Sequence, residues 1–317
     1  MDFTAFRGMK PFSQLMFAIF IMVASVFVFM LVGMFLAIPF VGADNLLSAM
    51  SAANGNSTDG LNLLKYYQVI QSIGLFCVPP FVLAFLYHGR IAEYLKLDRS
   101  THIQVFLMTA VCLLAFIPAI NFMGDLNSKM SLPESLAGIE TKMKNMEESA
   151  RVLTEKFMLV DGISGLLFNV FMIAVLPAIG EELMFRGVVQ NIFTRWTKNK
   201  HWGIWITAFL FSAMHMQFYG FLPRFMLGAM FGYLLVWTGS MWVPITAHFV
   251  NNLMGVVGYF LMGKGLISED IEEVGTGSGQ WVYVVLSLLV VGGLLYLIYQ
   301  RESNKIKMPV NQIDSQA

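Results

Sequence analysis

Long apolar runs alternate with short polar stretches along the chain. A helix that spans the hydrocarbon core needs roughly 20 apolar residues, because the bilayer offers its backbone no hydrogen-bonding partner. Eight runs reach or approach that length, and they are residues 14–38, 69–87, 105–123, 163–187, 202–216, 221–237, 241–262 and 281–299. The fifth and sixth are short and are expected to be tilted or covered by protein. The pattern predicts an all-α polytopic membrane protein with about eight transmembrane helices.

The polar segment 131–157 has a different periodicity. Its apolar residues recur at alternating spacings of four and three, which is typical of an amphipathic helix. Ser131 and Glu134 have the spacing of a capping box at its start. We predict one amphipathic extramembrane helix here, which packs on the membrane or against another helix. A role in guiding substrate is the alternative.

Composition and charge narrow the class of protein. Hydrophobic residues make up 57% of the chain and charged residues 13%, and the latter is about half the share found in a soluble domain. Twenty Lys and Arg balance twenty Asp and Glu, so the net charge indicates no nucleic-acid partner, and membrane lipids are the expected surroundings. Cys77 and Cys112 both lie in apolar runs, which excludes a disulfide framework.

The basic residues of the loops predict the orientation. With the N-terminus inside, four groups of Lys and Arg face the cytoplasm, at 7–10, 90–99, 195–200 and 301–307. The opposite side carries Lys65, Lys264 and the basic residues of segment 129–156, whose length weakens its influence. The first apolar run is longer than the roughly 7 to 15 residues of a signal-peptide core, so we expect a retained anchor. The prediction is an integral protein of a bacterial inner membrane with both termini in the cytoplasm.

Ionisable residues inside apolar runs mark candidate functional sites, because a charge at mid-bilayer costs on the order of 3 kcal/mol or more. The candidates lie in the second half of the chain, and they are Glu181, Glu182, Arg186, His215, Arg224, His248 and the polar Asn252. Taken singly, a histidine in an apolar run is more often hydrogen-bonded packing, and an intramembrane asparagine commonly joins helices. Their joint placement favours a functional site.

Helix geometry predicts that these residues lie at similar depths. The charged turn 195–200 joins the fourth and fifth spans as an antiparallel hairpin, and Glu181 and His215 are equidistant from its centre. Both therefore lie about 20 Å along their helices. His248 and Asn252 lie about 10 and 16 Å along the seventh span and share one face. Three separate segments are thus expected to deliver polar groups to one region.

The two neighbouring glutamates of the fourth span are expected to have different roles, because their side chains point about 100° apart. Glu182 and Arg186 have the i, i+4 order that favours an ion pair, and we assign this pair to structural support. Glu181 has no partner on its own helix, so we assign it the role of a general base.

These residues fall into three ordered motifs, which are Glu181-Glu182-xxx-Arg186, Phe211-xxx-His215 and His248-xxx-Asn252. The motifs resemble the signatures of the CAAX protease and bacteriocin-processing family, which includes type II CAAX prenyl endopeptidases and lysostaphin-resistance-protein-A-like membrane proteins. The intervening segments 228–233 and 238–244 are also similar to that family's pattern. The resemblance covers residues 166–258, and residues 1–160 carry no motif that we recognise.

The resemblance implies an intramembrane endopeptidase. By role, the implied site residues are Glu181 and His215 for activation of the attacking water, His248 and Asn252 for stabilisation of the oxyanion, and Glu182 and Arg186 for support of the site. On this interpretation residues 161–300 form the catalytic core, residues 1–160 a three-span region that includes the amphipathic helix, and residues 301–317 a polar tail.

The part played by a metal stays open. Glu181, His215 and His248 could form the three-ligand zinc site of a hydrolase, but the sequence lacks a His-Glu-xx-His pair on one helix. We favour a metal-free mechanism with a glutamate-activated water, because Asn252 suits an oxyanion donor better than a zinc ligand. No cofactor is therefore expected, and Zn²⁺ is the alternative.

The expected substrate is a peptide or a lipid-modified protein at the membrane, either prenylated or a precursor, that is cleaved near its C-terminus. Two other classes of function stay open. One is a non-proteolytic immunity or scaffold protein that binds a peptide or partner. The other is a proton-coupled transporter that uses Glu181 and His215, although the two halves of the sequence show no repeat symmetry.

Overall fold

A computed structural model describes residues 6–42, 58–268, 273–277 and 279–307. Within these residues the chain is helical and contains no strand. Seven helices of the described segments are long and apolar enough to cross a membrane. The predicted all-α polytopic membrane architecture is therefore confirmed.

The first half of the described chain contains three long helices and one short one. They are α1, Pro11–Val41; α2, built of Thr58–Ser72, a π-helical turn Ile73–Cys77 and Val78–His88; α3, Ile91–Tyr94; and α4, Ile103–Ser128. Pro79 and Pro80 account for the wide turn, because a proline cannot donate to the carbonyl four residues earlier. Lys65, expected in an outer loop, instead lies within α2 and is 8% exposed.

The amphipathic helix α5 is Ala137–Met158, preceded by a 3₁₀ turn at Glu134–Leu136. The predicted helix 131–157 is therefore present but begins later than expected. The capping box predicted at its start is wrong, because neither helical segment has a side-chain cap at its N-terminus. The backbone N–H of Leu132 donates instead to the carboxylate of Glu140 at 3.1 Å.

The fourth and fifth predicted spans form the expected hairpin. Helix α6 consists of Ile163–Asn169, a π-helical turn Val170–Val175, Leu176–Glu182, a second π-helical turn Leu183–Val189, and Gln190–Thr197. Helix α7, Lys200–Met214, packs back against its C-terminal part. With 15 residues α7 is shorter than the roughly 17 to 25 residues of a spanning helix. The predicted fifth span is thus a helix shorter than a spanning one, and it is not among the seven candidate spans of the described segments.

The chain continues through three further helices. They are α8, Phe221–Thr238; α9, Trp242–Gly263; and α10, Trp281–Lys307. Gly239 ends α8 in the left-handed conformation, with φ of 69°, which is the usual role of glycine after a helix. Because α10 extends to residue 307, the first part of the predicted polar tail is helical. Residues 308–317 of that tail lie outside the described residues.

The helices that carry the motifs are the inner ones. In its most apolar stretch α8 has 44% of its residues buried, whereas α1 has 6%. Met241, which directly precedes α9, and Ile245 of α9 belong to a core cluster with α2 and α6, while Val243 and Ala247 of α9 belong to a second cluster with α4, α8 and α10. Helix α9 is therefore fixed from two sides just before His248.

Candidate active site

Three elements bring the predicted site residues together. Helix α6 carries the first motif, residues 181–186, where its second π-helical turn begins. His215 directly follows α7, and α9 carries His248 and Asn252 one turn apart. Helix α6 packs against both α7 and α9. The arrangement predicted from helix lengths is thus the one that the fold produces.

The carboxylate of Glu182 is fully buried and has two partners. Its Oε1 accepts hydrogen bonds from Arg186 Nη1 at 2.7 Å and from His248 Nδ1 at 2.8 Å. Arg186 Nη2 donates to the carbonyl oxygen of Gly228 at 3.1 Å. The predicted ion pair is therefore present, and His248 shares it, which the spacing of the motifs does not predict. Glu182 links α6 to α9, and Arg186 links α6 to α8.

Both site histidines use Nδ1 in a contact within the protein. His248 Nδ1 faces Glu182, and His215 Nδ1 lies 2.8 Å from the carbonyl oxygen of Phe211. A carboxylate and a carbonyl only accept hydrogen bonds, so each Nδ1 carries a proton. Each ring is held in one orientation, and neither Nε2 atom has a hydrogen-bond partner in the part of the chain that the structure describes.

Glu181 is half-buried and forms no hydrogen bond or ion pair with any described residue. Its carboxylate is close enough to His248, Arg186 and Arg224 to interact with them electrostatically. The ring of His215 also interacts electrostatically with His248, Arg186 and Arg224. The four predicted catalytic residues therefore share one neighbourhood, because Asn252 is one helical turn from His248. Arg224, a further candidate from the sequence, lies in the same neighbourhood.

Asn252 binds a carbonyl group that a proline leaves without its usual donor. Pro177 has no backbone N–H, so the carbonyl of Ile173, four residues earlier, lacks the i+4 donor, and the helix widens at Val170–Val175. Asn252 Nδ2 donates to this carbonyl at 2.9 Å, and its Oδ1 accepts from Asn251 Nδ2 at 3.1 Å. Asn252 thus joins α9 to α6 and keeps one N–H for another acceptor.

Two phenylalanine rings form the buried wall of the site. The guanidinium carbon of Arg186 lies 4.5 Å from the ring centroid of Phe211 and 5.4 Å from that of Phe231. Phe211 packs edge-on against His215 and His248, at centroid distances of 5.1 and 6.0 Å. Phe231 stacks on His248 at 5.6 Å. These rings exclude water around the buried charges, which strengthens the electrostatic interactions there.

The sequence predicts a role in the site for one of these two rings more readily than for the other. Phe211 stands at the first position of the second motif, so that motif already pointed to it. Phe231 lies in an apolar run among many similar residues, and only its position between two glycines of α8 could have singled it out.

The loop that follows His215 is anchored by α4. Asn127, 2% exposed, donates to the carbonyl oxygen of Phe218 at 2.9 Å and accepts from the backbone N–H of Leu222 at 2.7 Å. Its side chain therefore fixes the loop and satisfies one of the free N–H groups in the first turn of α8. Asn127 is not among the residues predicted from the sequence, because nothing in its own span indicates a partner in a distant loop.

Helix α5 packs on the same loop. The backbone N–H of Tyr219 donates to Glu147 at 3.0 Å, and the Tyr219 hydroxyl donates to Glu140 at 3.1 Å. Helix α5 therefore holds the loop that follows α7 through two of its carboxylates. Its observed role is packing against the loop, the first of the two roles expected for it.

The contact between α5 and the loop is expected to weaken in acid. The Lys144 ammonium holds the pKa of Glu140 below its ordinary value of 4.5, and the N–H of Leu132 and the Tyr219 hydroxyl act in the same direction. A lowered carboxyl pKa gives stability that is complete above the ordinary pKa and lost as the pH falls through the lowered one. We expect hydrogen exchange at Tyr219 and Gly220 to be slow near neutral pH and faster, relative to the intrinsic rate, below about pH 4.

The variant Glu140→Gln should reduce this extra pH dependence, because it removes the carboxylate that accepts the Tyr219 hydroxyl. Glu148→Gln is the matched control, because Glu148 lies on the same helix, pairs with Arg151 and does not contact the loop. Protection that does not change between neutral and acidic pH in the wild type would contradict this prediction.

Glycines of α8 allow a close approach to α6 and α7. Gln190 Nε2 donates to the carbonyl oxygen of Gly232 at 3.3 Å. A Cβ atom at Gly232 would lie 2.7 Å from Gln190 Oε1 and 2.9 Å from Ile204 Cγ2. Small residues at such crossings are what allow helices in a membrane to pack closely.

We expect Gly232→Ala to lower the free energy of unfolding by about 1 to 3 kcal/mol, because the added methyl group overpacks this crossing. The measurement is thermal or denaturant unfolding of the purified chain in detergent. Gly255→Ala on α9 is the matched control, since no described atom lies within 4 Å of the Cβ position there. Equal stability of the two variants would show that the crossing is looser than described.

The proposed zinc ligands do not form a ligand cluster. Among the described residues, no group of three or more His, Cys, Asp or Glu side chains could hold a metal ion. His248 contacts Glu182 rather than Glu181. The trio Glu181, His215 and His248 therefore does not fit a zinc site as placed, and we assign no catalytic step to a metal.

Comparison with known proteins identifies the region that contains this site. Residues 163–254 match the family described as type II CAAX prenyl endopeptidase Rce1-like. The chain is also 30% identical over 86 residues to the uncharacterized protein YpbD of Bacillus subtilis (strain 168), an alignment that covers 26% of this chain and 41% of YpbD. The matched region thus spans less than half of that relative's length. No solved structure matches the chain.

The family resemblance drawn from the three motifs is confirmed for residues 163–254. This segment holds every predicted site residue. Asn127 and α5, which anchor the loop after His215, lie outside it.

Proposed function

We propose, from the type II CAAX prenyl endopeptidase match of residues 163–254 and from the geometry of the site, that the chain is an intramembrane endopeptidase. The observation that carries the proposal is the convergence of four groups from three elements. They are the unpaired carboxylate of Glu181, the Nε2 atoms of His215 and His248, and the remaining N–H of the Asn252 amide. This set contains both an activator for water and donors for an oxyanion.

Glu181 and His215 are proposed to hold and activate the water. With its Nδ1 protonated, neutral His215 presents Nε2 as an acceptor, and the carboxylate of Glu181 is also an acceptor. One water molecule has two hydrogens and can donate to both. Transfer of a proton to Glu181 lets the water oxygen attack the scissile carbonyl, and Glu181 then delivers that proton to the departing amine.

His248 and Asn252 are proposed to stabilise the oxyanion. Because His248 Nδ1–H is committed to Glu182, its Nε2 donates only when the ring is an imidazolium. The amide of Asn252 adds its remaining N–H as a second donor. Loss of one oxyanion donor typically costs about 10²- to 10³-fold in rate.

The mechanism proposed here needs no metal, and this prediction can be tested separately. We expect the purified chain to contain less than one zinc per molecule and to keep its peptidase activity after dialysis against a chelator. Elemental analysis and activity before and after chelation are the measurements. Activity that is lost on chelation and recovered with Zn²⁺ would contradict the metal-free mechanism and favour a zinc hydrolase.

The proposed substrate is a membrane-associated peptide or protein, lipid-modified or a precursor, that is cleaved near its C-terminus. The test is a comparison of peptides released from membranes of cells that carry the wild type or Glu181→Ala. We expect a set of C-terminal fragments that disappears in the variant. Glu148→Ala, on the exposed face of α5, is the control and should behave as the wild type.

A non-proteolytic scaffold gives a different outcome in this experiment. Such a protein would bind its partner without releasing fragments, so the peptide sets of the wild type and Glu181→Ala would be the same. That result would overturn the peptidase proposal.

A further inference from the structure

A polar cavity lies at the opposite end of α7 from Tyr219. It has a volume of about 100 Å³ and is formed where the segment after α3, the α6–α7 turn and the end of α8 meet. At roughly 30 Å³ for each water, it has room for about three water molecules. Its polar lining includes Lys96, Lys200, Asn191 and Thr194.

The cavity has an excess of positive charge. Three cationic side chains line it, Lys96, Lys200 and Arg186, and no Asp or Glu is among its lining residues. Arg186 is already neutralised by Glu182. Lys96 and Lys200 form no side-chain hydrogen bond or ion pair with any residue that the structure describes. The half-buried Lys96 and the exposed Lys200 thus line one small cavity without a counter-ion from the described residues.

Lys96 is held in a conformation that is unfavourable for it. Its φ is 55°, in the left-handed region where a side chain is strained. Burial, and then the charge of Arg99, lower the pKa of Lys96. An unpaired, partly buried ammonium on a strained backbone destabilises the protein unless something else compensates.

The surrounding backbone fixes this conformation. The carbonyl oxygen of Lys96 accepts the N–H of Met241 at 3.1 Å, and that of Leu97 accepts the indole N–H of Trp242 at 3.1 Å. The carbonyl oxygen of Arg99 accepts the Ser240 hydroxyl at 2.7 Å. The segment after α3 is therefore docked on the start of α9, and these contacts hold the backbone of Lys96 at the position where the residue lines the cavity.

We propose that this cavity binds a phosphate-type oxyanion. Two lysine ammonium groups act as point charges that suit a phosphate group, and Asn191 and Thr194 add neutral donors. The exposed Trp242 beside the cavity is the residue type that marks the membrane interface. The phosphate can therefore come from solution or from the headgroup of an anionic lipid, and both sources have the same chemistry.

The test measures thermal unfolding of the purified full-length chain. One arm uses inorganic phosphate against chloride at equal ionic strength in a neutral detergent. The other uses nanodiscs of phosphatidylcholine with and without phosphatidic acid. We expect at least one phosphate source to raise the Tm of the wild type. A rise with inorganic phosphate identifies the free anion as a ligand, and a rise with phosphatidic acid alone identifies the lipid headgroup.

The variant Lys96→Asn separates a binding role from a structural one. Asparagine tolerates the left-handed conformation, so the variant should unfold at a higher Tm than the wild type when no phosphate is present. It should also bind phosphate about tenfold more weakly, because one charge-assisted contact is lost. A lysine with a purely structural role would give a lower Tm without phosphate.

Lys198→Asn is the matched control. Lys198 lies at the same end of the bundle and also has a positive φ, of 54°, but it does not line the cavity. Its replacement should leave the phosphate-induced rise in Tm unchanged. The proposal is overturned if neither phosphate source raises the Tm of the wild type, or if Lys96→Asn keeps the full rise.

Discussion

Replacement of Glu181 by glutamine is expected to lower the rate of peptide hydrolysis by about 10²- to 10⁴-fold, because the amide cannot take the proton of the attacking water. Glutamine has nearly the same shape as glutamate. Since Glu181 forms no hydrogen bond or ion pair with the described residues, the change breaks no contact there. The free energy of unfolding should therefore stay close to that of the wild type.

The measurement is the single-turnover rate of the purified variant, together with its unfolding curve. Glu182→Gln is the informative comparison, because Glu182 is bonded to both Arg186 and His248 and should lose stability as well as activity. If Glu181→Gln cleaves at the wild-type rate, Glu181 is not the base. If it unfolds much more easily than the wild type, Glu181 has a structural role.

The second large effect is expected for Arg186→Met, which should lower the free energy of unfolding by about 3 to 5 kcal/mol. The variant leaves the fully buried carboxylate of Glu182 with only His248 as a partner. It also removes the hydrogen bond to Gly228 and the contact with the ring of Phe211. A buried charge that has lost its partner is more costly than the loss of the pair as a whole.

A double variant tests this explanation. Glu182→Gln combined with Arg186→Met removes the uncompensated charge, so it should be less destabilised than the sum of the two single variants. Equilibrium unfolding of all three variants gives the coupling energy. Additive effects, or a loss below about 1 kcal/mol for Arg186→Met, would mean that the ion pair contributes little to stability.

The spans and their order could be predicted from the sequence because the bilayer imposes a minimum length on each apolar run. The hairpin of α6 and α7 followed from one charged turn, and equal distances from that turn placed Glu181 and His215 at matching depths. The pair Glu182–Arg186 followed from helical spacing within one motif. Each of these features depends on residues that are near in sequence or on simple helix geometry.

The contacts between distant segments could not be predicted in this way. The hydrogen bond between His248 and Glu182 joins two helices, and the residue spacing within one helix does not predict it. Asn127 acts on a loop from another span, and a single polar residue near the end of an apolar run shows no pattern. The charge of Lys65 predicts a position in a loop, but α2 begins before this residue and includes it.

Proline and backbone strain also act through geometry that the sequence alone does not display. The sequence shows Pro177 but not the partner of the Ile173 carbonyl that this proline leaves free. Asn252 becomes that partner because α9 packs beside α6. The sequence pattern indicates for Lys96 only that it is one of the basic residues that predict the orientation of the chain in the membrane. Its left-handed backbone and its place in a cavity depend on the contacts of the segment with α9.

The most direct test uses a peptide substrate identified from the fragments that membranes of wild-type cells release and membranes of Glu181→Ala cells do not. Its hydrolysis by the purified wild type and by Glu181→Gln is measured with hydroxylamine present. We predict that the wild type forms only a free carboxylate at the new C-terminus and that the glutamine variant forms almost no product. Equal cleavage by the two proteins, or a hydroxamate product that reveals an acyl-enzyme, would contradict direct attack by an activated water.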